Sequence, residues 1–157
     1  MSSAMLRAQT LHGLDHWFDE SLSLCEEADL FYRIAHDWEL DYVDAPLTRW
    51  RVHGANTTFT KFGLFARETL HILDKHRRMY PDYEEEHGEL VELLTRRAAF
   101  QRSVALWRDG DGARARAAIA PYASMKFRLF RAASYLPGGC FNVLSRLYFA
   151  LPGWLRR

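Results

Sequence analysis

The spacing of apolar residues in the last two thirds of the chain constrains the fold most. From residue 59 onwards, apolar side chains recur every three or four positions, as on the buried face of an amphipathic helix. Proline and glycine clusters interrupt the pattern and separate the helices. The predicted helices are one through Phe62–Leu73 that stops at Tyr80-Pro81, then Glu84–Trp107, Ala113–Ala120, Met125–Tyr135 and Phe141–Leu151. We therefore predict a helical extension over residues 59–121 and a helical tail over residues 122–157.

The first 58 residues differ because strand-like segments accompany their helices. Acids crowd the start of Glu26–Trp38, where they complement the helix dipole, and Leu30, Ile34 and Trp38 follow at i, i+4 and i+8. The other predicted elements are a short strand or helix start at Ala4–Arg7, a brief helix at Ala8–Leu14, and strands at Tyr42–Asp44 and Leu47–Val52. The sequence thus predicts a mainly α fold with a small α+β N-terminal piece.

The charges are distributed unevenly. Leu14–Asp44 holds ten acids and one base, whereas Pro121–Arg157 holds six bases and no acid, although the whole chain has a net charge of only +1. No basic stripe runs through the chain as nucleic-acid binding requires, so we predict no nucleic-acid partner. The acidic front and the basic tail indicate two parts with different roles.

The sequence also indicates a compartment. Cys25 and Cys140 form no C-x-x-C pair, which favours reduced thiols in a cytosolic protein. The N-terminus lacks the charged and apolar regions of a signal peptide. The longest apolar run, Leu147–Leu155, is broken by Pro152-Gly153 and is shorter than the ~18 residues of a membrane span. We predict a cytoplasmic protein, either free or peripheral to the inner face of the membrane.

Three neighbouring pieces of sequence carry candidate chemistry. They are Phe18-Asp19-Glu20-Ser21-Leu22, then Cys25-Glu26-Glu27-Ala28-Asp29-Leu30-Phe31-Tyr32-Arg33, then Ala45-Pro46-Leu47-Thr48-Arg49-Trp50-Arg51-Val52-His53 with Asn56-Thr57-Thr58 after it. In this order and spacing they resemble the C-terminal half of the catalytic domain of family 2 glycosyltransferases, which have the GT-A fold. The resemblance covers roughly residues 2–58. It implies a partial, acceptor-side GT-A segment followed by a helical extension.

The resemblance also implies an activity. Members of this family are inverting transferases that use a nucleotide-sugar donor and a glycan or lipid-linked acceptor in glycan or cell-surface polysaccharide synthesis. Glu27 occupies the position of the family's general base, an Asp in the usual pattern, and Glu26 is its partner. A carboxylate suits that role because it can accept the proton of the acceptor hydroxyl. Asp29 and Arg33 are predicted to form an i, i+4 ion pair that steadies the helix.

Further residues are implied in binding. Arg51 and His53 match the family's Arg-x-His element, with Arg51 a candidate for contact with the diphosphate and His53 a candidate metal ligand. Trp17 and Trp50 either stack on sugar rings or pack in the core. Asp19 and Glu20 belong to the loop that faces the substrate. The complete enzyme would use a divalent metal, Mg or Mn. His12 and His16 stand at i, i+4, but Gly13 interrupts them and no third ligand is evident, so we predict no zinc site.

The donor half of such an enzyme is not evident in this chain. No Asp-x-Asp precedes Glu27, and Asp109-Gly110-Asp111 lies far beyond it in a predicted turn. At 157 residues the chain is also short for an enzyme that must hold two substrates. We expect a truncated or split transferase that is inactive alone. The alternative is a non-catalytic module that binds an anionic membrane surface or a protein partner through its basic, aromatic tail; that tail could instead pack as ordinary core helices.

Overall fold

The computed structural model describes residues 3–49, 51 and 57–144, with the side chains of residues 58 and 59 excepted. The chain divides into two compact units, unit 1 (Met1–Thr60) and unit 2 (Lys61–Arg157). Every regular element in the described residues is a helix, which confirms the mainly α fold. None of these helices is both long and apolar enough to cross a membrane.

The described residues of unit 1 contain three helices and a small core. They are α1 (Gln9–His12), α2 (Glu26–Asp37) and α3 (Thr57–Thr60). Leu30 and Ile34 of the predicted α2 stripe are buried. Leu22 and Cys25, just before the helix, are buried as well. Trp38, the last member of the stripe, is 40% exposed at the C-cap. Unit 1 therefore depends heavily on α2 for its core.

The strands predicted in unit 1 are wrong where the structure describes them. Residues 39–49 and residues 4–7 have no regular secondary structure, and residues 50 and 52 lie outside the described part. Two three-residue turns, Ala45 N–H to Val43 O at 2.8 Å and Leu47 N–H to Ala45 O at 2.9 Å, bend the segment around Pro46. A short segment with strand-like residues persists as a strand only when a neighbour pairs with it, and the described residues offer no such neighbour.

The described part of unit 2 contains four helices with assigned bounds. They are α4 (Phe62–Met79), α5 (Tyr83–Arg108, with a kink at His87), α6 (Gly112–Ala118) and α7 (Met125–Ala133). These confirm four of the predicted helices, and residues 140–144 of the fifth are helical as well. Helix α4 packs on α5, and α5 packs on α6. The predicted stripes supply buried residues to these contacts, among them Ala66, Leu73, Leu94 and Ala98.

Trp107 lies at the centre of the unit 2 core. Its ring meets Phe130 at 5.3 Å and Phe141 at 5.7 Å edge to face, the arrangement that aromatic rings prefer. Its Nε1 donates a hydrogen bond to the carbonyl of Leu136 at 2.8 Å. Ser103 Oγ donates to the carbonyl of Ala115 at 2.7 Å and joins α5 to α6. The C-terminal end of α5 thus organises the helices that follow it.

The loop after α7 approaches α5 so closely that only glycine fits. A Cβ at Gly138 would lie 2.2 Å from the carbonyl oxygen of Trp107, whereas a Cβ at Gly139 would have nothing within 4 Å. We expect Gly138→Ala to destabilise unit 2 by about 1–3 kcal/mol, the usual cost of overpacking, because backbone must move. Gly139→Ala is the matched control and should change stability by less than about 0.5 kcal/mol. Urea unfolding of the two variants measures both; equal stabilities would contradict this close approach.

Candidate functional site

Arg33 fastens a loop to helix α2. Its Nε donates to Asp29 Oδ2 at 3.0 Å, its Nη1 to the carbonyl of His16 at 2.7 Å, and its Nη2 to the carbonyl of Trp17 at 2.7 Å. Both members of the ion pair are buried, with Arg33 2% and Asp29 0% exposed. The planar guanidinium holds its donors in a rigid fork, so Nε, Nη1 and Nη2 reach three acceptors at separate positions, whereas the donors of lysine all radiate from one nitrogen. We call these three contacts the Arg33 clamp.

The clamp confirms the predicted i, i+4 ion pair but changes its energetics. An i, i+4 ion pair on the surface of a helix contributes about 0.2–0.5 kcal/mol. The Asp29–Arg33 pair is instead buried. Loss of one partner would leave an uncompensated buried charge, at a cost of about 3–5 kcal/mol. Hydrogen bonds that involve a charged group contribute about 1.5–3 kcal/mol each. The clamp is therefore the main polar support of unit 1.

The loop held by the clamp carries the Phe-Asp-Glu motif. Asp19 Oδ1 accepts hydrogen bonds from the Ser21 amide at 3.0 Å and from Ser21 Oγ at 2.6 Å, and the Leu22 amide donates to the Asp19 carbonyl. Asp19 therefore shapes the turn that leads into α2. Trp17 is 55% exposed and Glu20 is exposed, so both present their side chains at the surface.

Glu26 and Glu27 are the first two residues of α2, and both are half-buried. The positive end of the helix dipole stabilises negative charge there. Oε2 of Glu26 is buried and has no hydrogen-bond partner among the described residues. The helix that carries these two carboxylates is the same one to which the clamp fastens the Trp17–Asp19 loop. The structure therefore joins two of the three sequence pieces in one local arrangement.

A group of possible metal ligands lies beside the clamp. One ligand atom each from His16, Asp19 and Asp29 falls within 4.8 Å of the other two. Sequence analysis missed this group because it judged His16 only against His12, and the approach of Asp29 depends on the folded loop. However, the Arg33 guanidinium binds Asp29 at 3.0 Å and brings positive charge beside any cation. The group does not fit the octahedral oxygen site that Mg or Mn prefers.

The remaining predicted site residues are only partly placed. Arg51 is exposed and lies in irregular chain. Trp50 and the candidate metal ligand His53 lie outside the described residues. The clamp links the loop of Trp17 and Asp19 to the helix that begins with Glu26 and Glu27.

Comparison with known proteins gives no independent assignment. No protein family, no curated protein and no solved structure matches this chain. A functional proposal must therefore rest on the resemblance of the three sequence pieces and on the geometry of the clamped loop and helix.

Proposed function

We propose that unit 1 is the acceptor-side portion of an inverting, nucleotide-sugar-dependent glycosyltransferase of family 2. The observation that carries the proposal is the Arg33 clamp. It holds the Trp17–Asp19 loop against the helix whose first turn presents Glu26 and Glu27. Trp17 is an exposed ring on the loop that the clamp fastens to the helix bearing these two carboxylates. In the proposed site the ring covers a sugar face while a carboxylate receives a proton.

The proposed chemistry assigns the proton transfer to Glu27. The acceptor hydroxyl oxygen forms a bond to the anomeric carbon of the donor, the bond from that carbon to the diphosphate oxygen breaks, and the hydroxyl proton passes to the Glu27 carboxylate. The nucleoside diphosphate leaves with the bonding electrons. General-base catalysis of this kind contributes about 10²–10⁴-fold. Glu26 adds negative charge beside the base, and the clamp fixes the loop on which the acceptor rests.

The charges of unit 1 favour a donor site elsewhere. Leu14–Asp44 carries ten acids against Arg33 alone, and Arg33 is consumed in the clamp. A diphosphate brought to the Leu14–Asp44 surface would be repelled; Arg51, the base that the resemblance implies for diphosphate contact, lies beyond that segment. We therefore place nucleotide-sugar binding, and the Mg or Mn ion that would accompany it, on a donor-binding half that the described residues do not contain, and we expect the chain alone to be inactive. The complete enzyme would act in the cytoplasm, on a glycan or lipid-linked acceptor.

Exposed apolar residues in the irregular segment after α2 support the proposal that another domain packs there. Leu40, Tyr42, Val43 and Leu47 are each at least two thirds exposed. Apolar side chains grouped in this way on a surface usually mark a contact with another protein surface. Under the proposal, the donor-binding half covers them.

Trp17 provides the first test with the chain as it exists. On an array of oligosaccharides, we expect the chain to bind one class of glycan, and Trp17→Ala to weaken that binding at least about tenfold, since 1.4 kcal/mol of lost contact corresponds to that factor. Trp38→Ala is the matched control because Trp38 is also partly exposed but lies at the other end of α2. Its binding should equal that of the wild type.

Three results would count against the proposal. One is an array on which no glycan binds, and another is a Trp17→Ala variant that binds as well as Trp38→Ala. The third is sugar transfer by the chain alone from a nucleotide-sugar, which would contradict the missing donor half. Absence of glycan binding would favour the alternative, a non-catalytic module that binds membranes or proteins.

A further inference from the structure

Helix α7 has two faces with different surroundings. One face packs into unit 2: Phe127 is buried, and the Phe100 ring meets Phe127 at 5.9 Å and Phe130 at 5.0 Å. The core-packing interpretation of the basic tail is therefore correct for this face. The rings fix the rotation of the helix, and so they also determine which residues point outwards.

The opposite face of α7 is exposed and partly apolar. Met125 is 65% and Leu129 is 64% exposed, and Arg128 and Ala132 are exposed as well. These residues follow at i, i+3, i+4 and i+7, so they form one continuous stripe on the helix. We call it the α7 outer stripe. The chain after it keeps the same character, with further exposed apolar residues at Tyr135, Leu136, Val143 and Leu144.

The charge around the outer stripe is positive. Pro121–Arg157 has six bases and no acid, and unit 2 as a whole has 17 Lys and Arg against 10 Asp and Glu. Arg131 is engaged inside the protein, because its Nη2 donates to the carbonyls of Ile119, Ala120 and Tyr122 at 3.2–3.3 Å. Lys126 Nζ lies 4.4 Å above the Phe100 ring. Arg128, in contrast, stands within the stripe between Met125 and Leu129.

We propose that the α7 outer stripe is the surface by which this protein docks on an anionic lipid bilayer. Methionine and leucine side chains would enter the interface between headgroups and acyl chains, and the bases would contact anionic headgroups, as in amphipathic helices that lie in the membrane plane. Large exposed apolar residues in a segment whose sequence, Pro121–Arg157, holds six bases and no acid fit an anionic bilayer better than a protein surface of mixed charge. The proposal does not depend on transferase activity.

Vesicle co-sedimentation tests the proposal with the full chain. We expect binding to vesicles of phosphatidylcholine with about 30% phosphatidylserine and much weaker binding to phosphatidylcholine alone, because anionic lipid attracts each base. Arg128→Gln should weaken binding about fivefold, the effect of one base near the surface. The double variant Met125→Ser/Leu129→Ser should weaken it more than tenfold, because two apolar side chains no longer enter the interface.

The matched controls lie at the far end of α4. Arg78→Gln and Met79→Ser change the same kinds of exposed residue. The first turn of α4 approaches the end of α5, at Gly63. Arg78 and Met79 lie about 25 Å along α4 from that turn. Both should bind vesicles as the wild type does. Circular dichroism should show equal helix content in all variants, since every substitution is on the surface.

The proposal is overturned if the wild type does not sediment with the anionic vesicles, or if the stripe variants sediment no less than the controls. It is also overturned if the stripe mediates self-association instead. Light scattering after gel filtration would then show an oligomer that Met125→Ser/Leu129→Ser dissociates, with no binding to vesicles.

Discussion

Replacement of Arg33 with methionine should destabilise unit 1 by about 3–5 kcal/mol, the cost of leaving a buried carboxylate without its partner. Asp29 would keep its place in the core but lose the guanidinium at 3.0 Å. The carbonyls of His16 and Trp17 would lose their donors in the same substitution. A unit of 60 residues has a small core, so a loss of this size is comparable with its whole stability. We expect unit 1 to unfold while unit 2 remains folded.

Hydrogen exchange resolved by peptide mass spectrometry measures this effect. Amides of α2 should lose protection in Arg33→Met, and amides of α5 should keep it. The control is Arg77→Met, since Arg77 also binds two acids, Asp74 and Glu84, but is 36% exposed. The hydrogen bond to Glu84 raises the pKa of Arg77 above its ordinary value. Solvent screening limits the contribution of the Arg77 ion pairs to stability to about 1 kcal/mol or less.

A second variant separates the contribution of the ion pair from that of the two hydrogen bonds to the loop carbonyls. Asp29→Leu/Arg33→Met removes both buried charges, and replacement of such pairs by apolar residues is often neutral. Here we expect only partial recovery, because no side chain would donate to the carbonyls of His16 and Trp17. Complete recovery would show that charge alone matters and that the loop needs no clamp. Protection of α2 in Arg33→Met equal to that in Arg77→Met would contradict the buried pair itself.

The helices of unit 2 were predictable because the signals that define them, apolar spacing and helix-ending residues, lie within each segment of sequence. The stripe through Ala66 and Leu73 marks the buried face of α4, and Tyr80-Pro81 marks its end. The segment around Tyr42 and Leu47 misled the prediction, since alternation shows that a segment can form a strand but not that a partner is present. Unit 1 offers no such partner among its described residues.

The candidate site was predictable only in part for the same reason. The i, i+4 spacing of Asp29 and Arg33 is local, and the ion pair follows from it. Its burial does not, because it requires the loop at His16 and Trp17 to fold back over a separation of 16 or 17 residues. The approach of His16 to Asp19 and Asp29 depends on that same fold-back. Spacing alone could not reveal either.

If the transferase proposal is correct, Glu27→Gln should lower the rate of sugar transfer by about 10²–10⁴-fold, the range for loss of a general base. The amide has nearly the same shape as the carboxylate but cannot accept the proton of the acceptor hydroxyl. Transfer is measured after the chain is combined with a donor-binding half, supplied in the same polypeptide or separately. Glycan binding by Glu27→Gln should remain close to that of the wild type, because the carboxylate acts on the proton and not on the sugar face.

Two further variants at the ends of α2 sharpen this test. Glu27→Asp should retain more activity than Glu27→Gln, since it keeps a carboxylate of the kind that the resemblance places there and only shortens its reach by one methylene. Asp37→Asn removes an exposed carboxylate from the last turn of the same helix and should leave transfer unchanged. A near-normal rate for Glu27→Gln would remove Glu27 from the role of base. If Glu26→Gln then abolished transfer, the base would be Glu26, whose buried Oε2 has no hydrogen-bond partner in the part of the chain that the structure describes.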